Sequence, residues 1–285
     1  MSEPTEVPEL RDPVMVAAFE GWNDAGEAAS GALAHLERVW DAHPITELDP
    51  EDYHDFQVNR PQVHVDGDGP RRITWPTTRL SWARPPGCPR DVVLVRGIEP
   101  SMRWRAFCTE LLGHADRLKV NTLVTLGALL ADVPHTRPIP ISTTSDDSRL
   151  MSRLVLEPSR YEGPTGIVGV LHDAARTAGL PGLSLWAAVP HYVSGSPSPK
   201  AMLALLHRVE ELLDVSIPLE DLPEDARAWE RGVDELAEAD GEIGEYVRQL
   251  EEAKDTAELP EASGEAIARE FERYLRRRDD GPTRG

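Results

Sequence analysis

Cysteine is nearly missing: Cys88 and Cys108 are the only two in 285 residues. They cannot build a disulfide framework or a thiolate metal cluster. Cys108 falls on an apolar helical face, and nothing beside Cys88, between Gly87 and Pro89, would activate its thiol. Lysine is scarce too, with Lys119, Lys200 and Lys254 alone. No apolar run approaches the ~20 residues of a membrane span. The first residues, MSEPTEVPELRDP, lack the basic start and apolar core of a signal peptide. The expectation is a cytoplasmic protein with no membrane partner. G-x-S-x-G, Walker and H-E-x-x-H patterns are absent. Gly67 and Gly69 lie in an acidic turn and open no helix, which removes a dinucleotide fingerprint. No two of the nine histidines are spaced i, i+3 or i, i+4. Neither a metal nor a cofactor is expected.

Positive charge is the other deficit. The formal net charge is −20, which makes nucleic acid a poor partner. Between positions 220 and 265 there are 17 acidic and 4 basic residues, so most of the imbalance sits in that stretch.

What is present reads as α/β. Residues 14–19 are apolar throughout, as in a strand buried on both faces. Asp24 with Glu27 reads as a capping box before the helical face Ala28, Ala32, Leu36 and Val39. Residues 52–89 hold weak strands at 62–65, 71–74 and 80–83, separated by Gly/Asp/Pro turns, an antiparallel excursion. Residues 91–96 form a buried strand, and Ser101 is placed to cap the helix after it. Residues 122–126 form a further buried strand, with Gly127 turning the chain into a loop that carries Asp132, His135 and Arg137. Residues 146–156 read as helix. Residues 167–178 read as helix, with a strand over 167–171 as the alternative. Residues 184–189 form a strand, and Ser198-Pro199 starts another helix. Beyond Pro218 an apolar stripe at 4-3-4-3 spacing includes Trp229, Val233, Leu236, Ile243, Val247 and Leu250, interrupted at Asp240. It predicts an acidic helix over 222–250 that packs on its own domain or on a sister subunit. A second helix is expected over 262–278.

The fold class is therefore a three-layer α/β/α sandwich with a mixed, mainly parallel sheet and a helical extension. The expected divisions are an extended or disordered 1–13, an α/β domain over 14–216, a helical hairpin over 217–278 and a disordered 279–285. Parallel strands gather their ends along one edge. The polar and aromatic residues at those ends are the candidate ligand or partner site: Glu20, Trp22, Asn23, Glu99, His135, Arg137, Tyr161 and His191. A carboxylate, a histidine and an arginine there could bind phosphate or move protons. Yet Asp24 also reads as a simple cap, and Arg137 as half of a surface ion pair. Glycines 163, 166 and 169 could open an anion site at a helix start, or serve a turn and close packing. No complete catalytic set emerges.

Four stretches together carry a resemblance: FEGWNDAG at 19–26, VRGIEP at 95–100, LGALLADVPHTRP at 126–138, and YEGPTGIVGVLHD at 161–173 with LWAAVPHYV at 185–193. In this order they resemble the PAC2 family, the proteasome-assembly-chaperone-2-like proteins, and its actinobacterial branch in particular. The resemblance implies a sandwich related to nucleoside phosphorylases and peptidyl-tRNA hydrolases. It also implies homo-oligomers, with a trimer our choice, and relatives that assist proteasome assembly. Some relatives end in a hydrophobic-Tyr-X tail that docks on the proteasome ring. This sequence ends Pro282-Thr283-Arg284-Gly285, which argues against that mode of docking. No lysine-bearing loop supports the ATP binding sometimes ascribed to the family. The function implied is a non-enzymatic assembly factor or adaptor. The alternative is an enzyme or a binder of nucleoside- or phosphate-like molecules.

Overall fold

Strand β1 (Val14–Glu20) is apolar up to Phe19, and its pleat divides it between two cores. Val14, Val16 and Ala18 join one; Met15, Ala17 and Phe19 join the other. The whole architecture follows from that division. The computed structural model describes residues 8–65, 67, 69–156, 159, 161–195 and 197–258. After β1 come α1 (Ala28–Val39), β2 (His43–Glu47), α2 (Pro50–Tyr53), β3 (Gln62–His64), β4 (Arg72–Thr74), β5 (Arg79–Ala83) and β6 (Val92–Ile98). Then follow α3 (Trp104–Arg117), β7 (Thr122–Ala131), β8 (Ile141–Thr144), α4 (Ser148–Leu154), α5 (Ile167–Thr177) and β9 (Gly182–Pro190). The chain continues through α6 (Pro199–Leu213), α7 (Leu222–Ala239) and α8 (Gly241–Glu258).

Seven strands form one mixed sheet in the order β2-β5-β6-β1-β7-β9-β8. The inner four, β6, β1, β7 and β9, run parallel. β5 and β8 flank them antiparallel, and β2 pairs antiparallel with β5. One face packs α1 and α6; the other packs α3 and α5. This is the expected three-layer sandwich. On the α3 side Phe107 is fully buried, its ring 5.7 Å from Phe19 and 5.3 Å from Tyr53, both edge to face. β3 and β4 stand apart as a two-stranded ribbon.

Several local expectations change. Gly127 does not turn the chain: β7 runs straight through it to Ala131. Its missing side chain serves packing, since a Cβ there would sit 2.7 Å from the Trp186 ring. Ser101 does not cap α3, which starts at Trp104 behind Arg103. The Ser101 hydroxyl instead accepts from Asp55 N (3.1 Å) and Asn59 Nδ2 (3.2 Å). Residues 167–177 form the helix expected there, and the strand alternative over 167–171 is not formed. The acidic helix breaks at Asp240, which is extended and whose carboxylate accepts from Glu242 N (3.0 Å). An internal N-cap therefore makes two helices of one. The second helix expected over 262–278, and the tail over 279–285, lie outside the described residues.

Candidate functional site

The parallel strands place the ends of β1, β6, β7 and β9 along one edge, and two different constructions occupy it. The first begins where β1 ends. Trp22 turns out into solvent at 64% exposure, and Asn23 turns inward at 1%. Asn23 O accepts from Ala128 N (2.8 Å), and its Nδ2 donates to Glu99 Oε1 (2.8 Å). Glu99 Oε1 also accepts from Ile167 N (2.8 Å) at the start of α5. That helix N-terminus therefore already holds an anion from within the chain. Gly166 lies so close to the Asn23 amide that a Cβ there would stand 2.3 Å from Nδ2. The glycines of this stretch serve close packing. Asn23 Oδ1 is enclosed and has no partner among the described residues.

Asp24 holds the turn behind Trp22. Gly26 (φ 60°) and Glu27 (φ 49°) are both left-handed, so α1 starts only at Ala28. A side chain at Gly26 would also meet Ser198, whose N–H donates to Gly26 O (2.7 Å). The capping box with Glu27 is thus not formed. Asp24 reaches across the turn and accepts from Ala29 N (2.8 Å) and Ser30 N (3.1 Å). Burial raises the Asp24 pKa, and these bonds oppose it.

Around Trp22 and Asn23 opens a cleft of about 910 Å³. The 21–27 turn, Tyr161, Pro164, Thr165, Gly169 and His172 line it together with the sheet residues Ser142, Thr144, Ser184 and Trp186. Leu129 and Leu130 bring β7 into it and are both exposed. Burial lowers the His172 pKa, so its imidazole is neutral at neutral pH; Asp146, 3.6 Å away, opposes that shift. Ser184 accepts from Trp186 Nε1 (3.0 Å) and Thr125 Oγ1 (2.9 Å). No serine or threonine of the cleft is hydrogen-bonded to a histidine among the described residues. The described lining contains no lysine or arginine. Among the described residues no three of His, Cys, Asp and Glu stand together as metal ligands.

The second construction is a dock for α7 and α8. His135 is buried, with Nδ1 2.8 Å from Tyr192 Oη and Nε2 3.0 Å from Asp234 Oδ1 of α7. Arg137 donates to both oxygens of Asp255 (2.9 and 2.7 Å) and to Glu251 (3.2 Å), all on α8. Asp132 pairs with His191 (3.3 Å) and accepts from Tyr246 Oη (3.0 Å). The rings of His191 and Tyr246 meet edge to face at 5.3 Å. Lys200 closes the set on Glu230 (2.8 Å).

A family comparison decides the kinship: the PAC2 family model matches residues 18–237. The chain belongs to the PAC2 family. A PAC2 family protein from Streptomyces avermitilis is 64% identical and superposes with a TM-score of 0.79, covering 83% of this chain and 100% of that one. The proteasome-assembly chaperone homologue of Mycobacterium tuberculosis is 56% identical, with a TM-score of 0.75 over 82% of this chain and 99% of that one. PbaB of Pyrococcus furiosus, an archaeal proteasome activator, shares the fold at 17% identity, with a TM-score of 0.66 over 82% and 97%. No curated protein matched the chain.

Within the PAC2 sandwich the eight candidates fall into two sets. Trp22, Asn23 and Tyr161 line the cleft, and Glu99 anchors Asn23 from behind. Glu20 precedes them, exposed at the end of β1. His135 and Arg137 are committed to α7 and α8, and His191 pairs with Asp132 and sets its ring against Tyr246 of α8. The 229–250 stripe packs the same way: Val233 and Val247 are buried within this chain, and Trp229 lies 6.5 Å from His135. Leu236 alone of its large side chains is exposed, at 44%. Sequence reasoning missed Trp186, His172, Leu129 and Leu130. One sign was readable: Ser184 and Trp186 sit two apart in a strand, on one face, amid apolar neighbours.

Proposed function

We propose that this PAC2 protein is a non-enzymatic assembly factor or adaptor, and that a segment of a partner protein seats in the Trp22–Tyr161 cleft. The observation that carries this reading is the cleft mouth. Trp22, Tyr161, Leu129 and Leu130 are all exposed there. Large apolar side chains gathered around a concavity mark an interaction site. The Mycobacterium relative, described as a proteasome-assembly chaperone homologue, makes proteasome subunits the first partners to try. Homo-oligomerisation, a trimer by choice, belongs to the same reading. The test is binding of purified proteasome subunits from the source organism to the wild type and to Trp22→Ala. Binding that weakens at least tenfold in the variant supports the reading. Absence of binding to every subunit, or equal binding by both proteins, contradicts it.

A second reading, a small-molecule site, is favoured by one observation: the cleft volume is in the range of ligand pockets, ~300–1,000 Å³. Its phosphate-bearing version lacks counter-charge, because the described lining holds no lysine or arginine. A neutral or cationic ligand suits the site better. At 100 times its dissociation constant it would add ~2.7 kcal/mol of stability. A thermal-shift panel without any response removes this reading.

A further inference from the structure

β8 ends the sheet, and no described strand lies beyond it. Ala188 N on β9 donates to Pro140 O (3.0 Å), one residue before β8. Backbone groups of an antiparallel strand alternate in direction. Ser142 and Thr144 therefore bond to β9, and the N–H and C=O of Ile141 and Thr143 face outward. Such an edge invites a foreign strand, and folds commonly cover it with a helix. The side chains divide as well. Ser142 and Thr144 line the Trp22 cleft, whereas Ile141 and Thr143 line a separate groove of about 860 Å³ on the opposite face.

The groove runs along α6 from Lys200 to Glu211, about 16 Å at 1.5 Å per residue. Leu203 and Ala204 form one wall, and Val155 and Leu156, after α4, form the other. Val155 is left-handed at φ 53°, a backbone that β-branched residues rarely take, and its side chain is 90% exposed. Thr136 and Pro138 lie at the Lys200 end, where the Lys200 ammonium donates to His135 O. Arg208 Nε donates to Thr143 Oγ1 (3.1 Å) toward the other end.

α8 delivers the chain to the first of these ends. Arg137, between Thr136 and Pro138, binds Asp255 (2.7 Å), and α8 closes three residues later at Glu258. Pro260 then follows and cannot continue that helix. Ile267, Phe271, Tyr274 and Leu275 come next at helical spacing, i, i+4, i+7 and i+8. Ile267 lies nine residues beyond Glu258, a reach of up to ~30 Å. As a helix, Ile267 to Leu275 would span about 12 Å, within the length of the groove. Arg278 continues the same face. It would arrive where Glu211 and Asp214 stand and where the last turn of α6 carries no basic residue.

We propose that residues 262–278 form a helix that lies in this groove on their own chain, with Ile267, Phe271, Tyr274 and Leu275 against Ile141, Val155 and Leu203, covering the outer edge of β8. Exit point, reach, apolar face and charge agree on this one occupant. The strap lies on the face away from the Trp22 cleft, so it and partner binding in the cleft fail separately.

The test is amide hydrogen exchange in the full chain. The outward amides of Ile141 and Thr143 are expected to be protected in the wild type. Phe271→Asp with Leu275→Asp is expected to speed their exchange by about tenfold or more, while β1 and β7 stay protected as the folding control. Arg269→Glu, on the opposite face of the same helix, is expected to change neither amide. A second measurement names the occupant. Chains carrying Val155→Cys and Phe271→Cys, light and heavy in isotope, are mixed and treated with a short thiol crosslinker. The product is expected to join peptides of one isotope only; Cys88 and Cys108 are buried and stay silent. Mixed-isotope products would seat a second copy in the groove and overturn the proposal, as would the absence of any product. Free exchange at 141 and 143 in the wild type, or slow exchange that survives the aspartate variant, overturns it too.

Discussion

Replacing Gly166 with alanine tests whether the floor of the cleft is as rigid as its bonds imply. The added Cβ would lie 2.3 Å from Asn23 Nδ2, 2.4 Å from Oδ1 and 2.7 Å from Cγ. Gly166 has φ −98° and ψ −171°, extended backbone that alanine adopts freely, so the penalty is steric alone. Asn23 cannot step aside cheaply. Its Nδ2 is bound to Glu99, which also holds Ile167 N, and its backbone is bound to Ala128. Overpacking of this kind costs ~1–3 kcal/mol. Loss of the glycine at the α5 N-cap adds about 0.5 kcal/mol. The assay is urea unfolding of four proteins: wild type, Gly166→Ala, Asn23→Ala and the double variant. Asn23→Ala gives up a hydrogen bond to a carboxylate, worth ~1.5–3 kcal/mol, but opens the space the new methyl needs. In that background Gly166→Ala should therefore cost only the N-cap share of about 0.5 kcal/mol. Equal costs in the two backgrounds, or a neutral single variant, would refute the reasoning.

Three further outcomes follow from the same packing. Asp91 is fully buried and takes two bonds from the Arg84 guanidinium and three from Arg11. Burial alone would raise its carboxyl, but these bonds outweigh it and hold the pKa far below the usual range. A depressed folded pKa stabilises above the unfolded value of ~3.9, and the gain is lost as pH falls through the folded value. Asp91→Asn should thus cost about 2–3 kcal/mol at pH 7, and its gap to the wild type should narrow below pH ~4 in urea titrations. Phe107→Ala should cost about 3–5 kcal/mol, since the ring fills the space between Phe19 and Tyr53. Arg137→Ala should speed amide exchange in α8 by about tenfold, ~1.4 kcal/mol, while β1 and β7 stay protected.

The sandwich was legible because its strands are unambiguous. Residues 14–19 have no polar side chain before Glu20, and such a strand must be covered on both faces. The rim was legible for the same reason, since parallel strands end together. What each rim residue does there was hidden. His135 and Arg137 have the residue types of a reactive site, yet their partners Asp234 and Asp255 lie about a hundred residues onward. Nothing local announces such a pairing. The Asp24–Glu27 box failed because Gly26 and Glu27 both turn left-handed, a choice made by contact with Ser198 rather than by local preference. Gly127 misled in the opposite sense. Its glycine answers to Trp186 on the neighbouring strand, which no reading of residues 121–145 alone contains.

Photo-crosslinking from position 22 in the living source organism tests the central claim most directly. With a photoreactive residue in place of Trp22, the account predicts a covalent product with another protein, a proteasome subunit first among them. The same residue at the outward, polar position Gln62 should not give that product. No product from position 22, or the same product from both positions, would contradict a cleft that works by holding a protein partner.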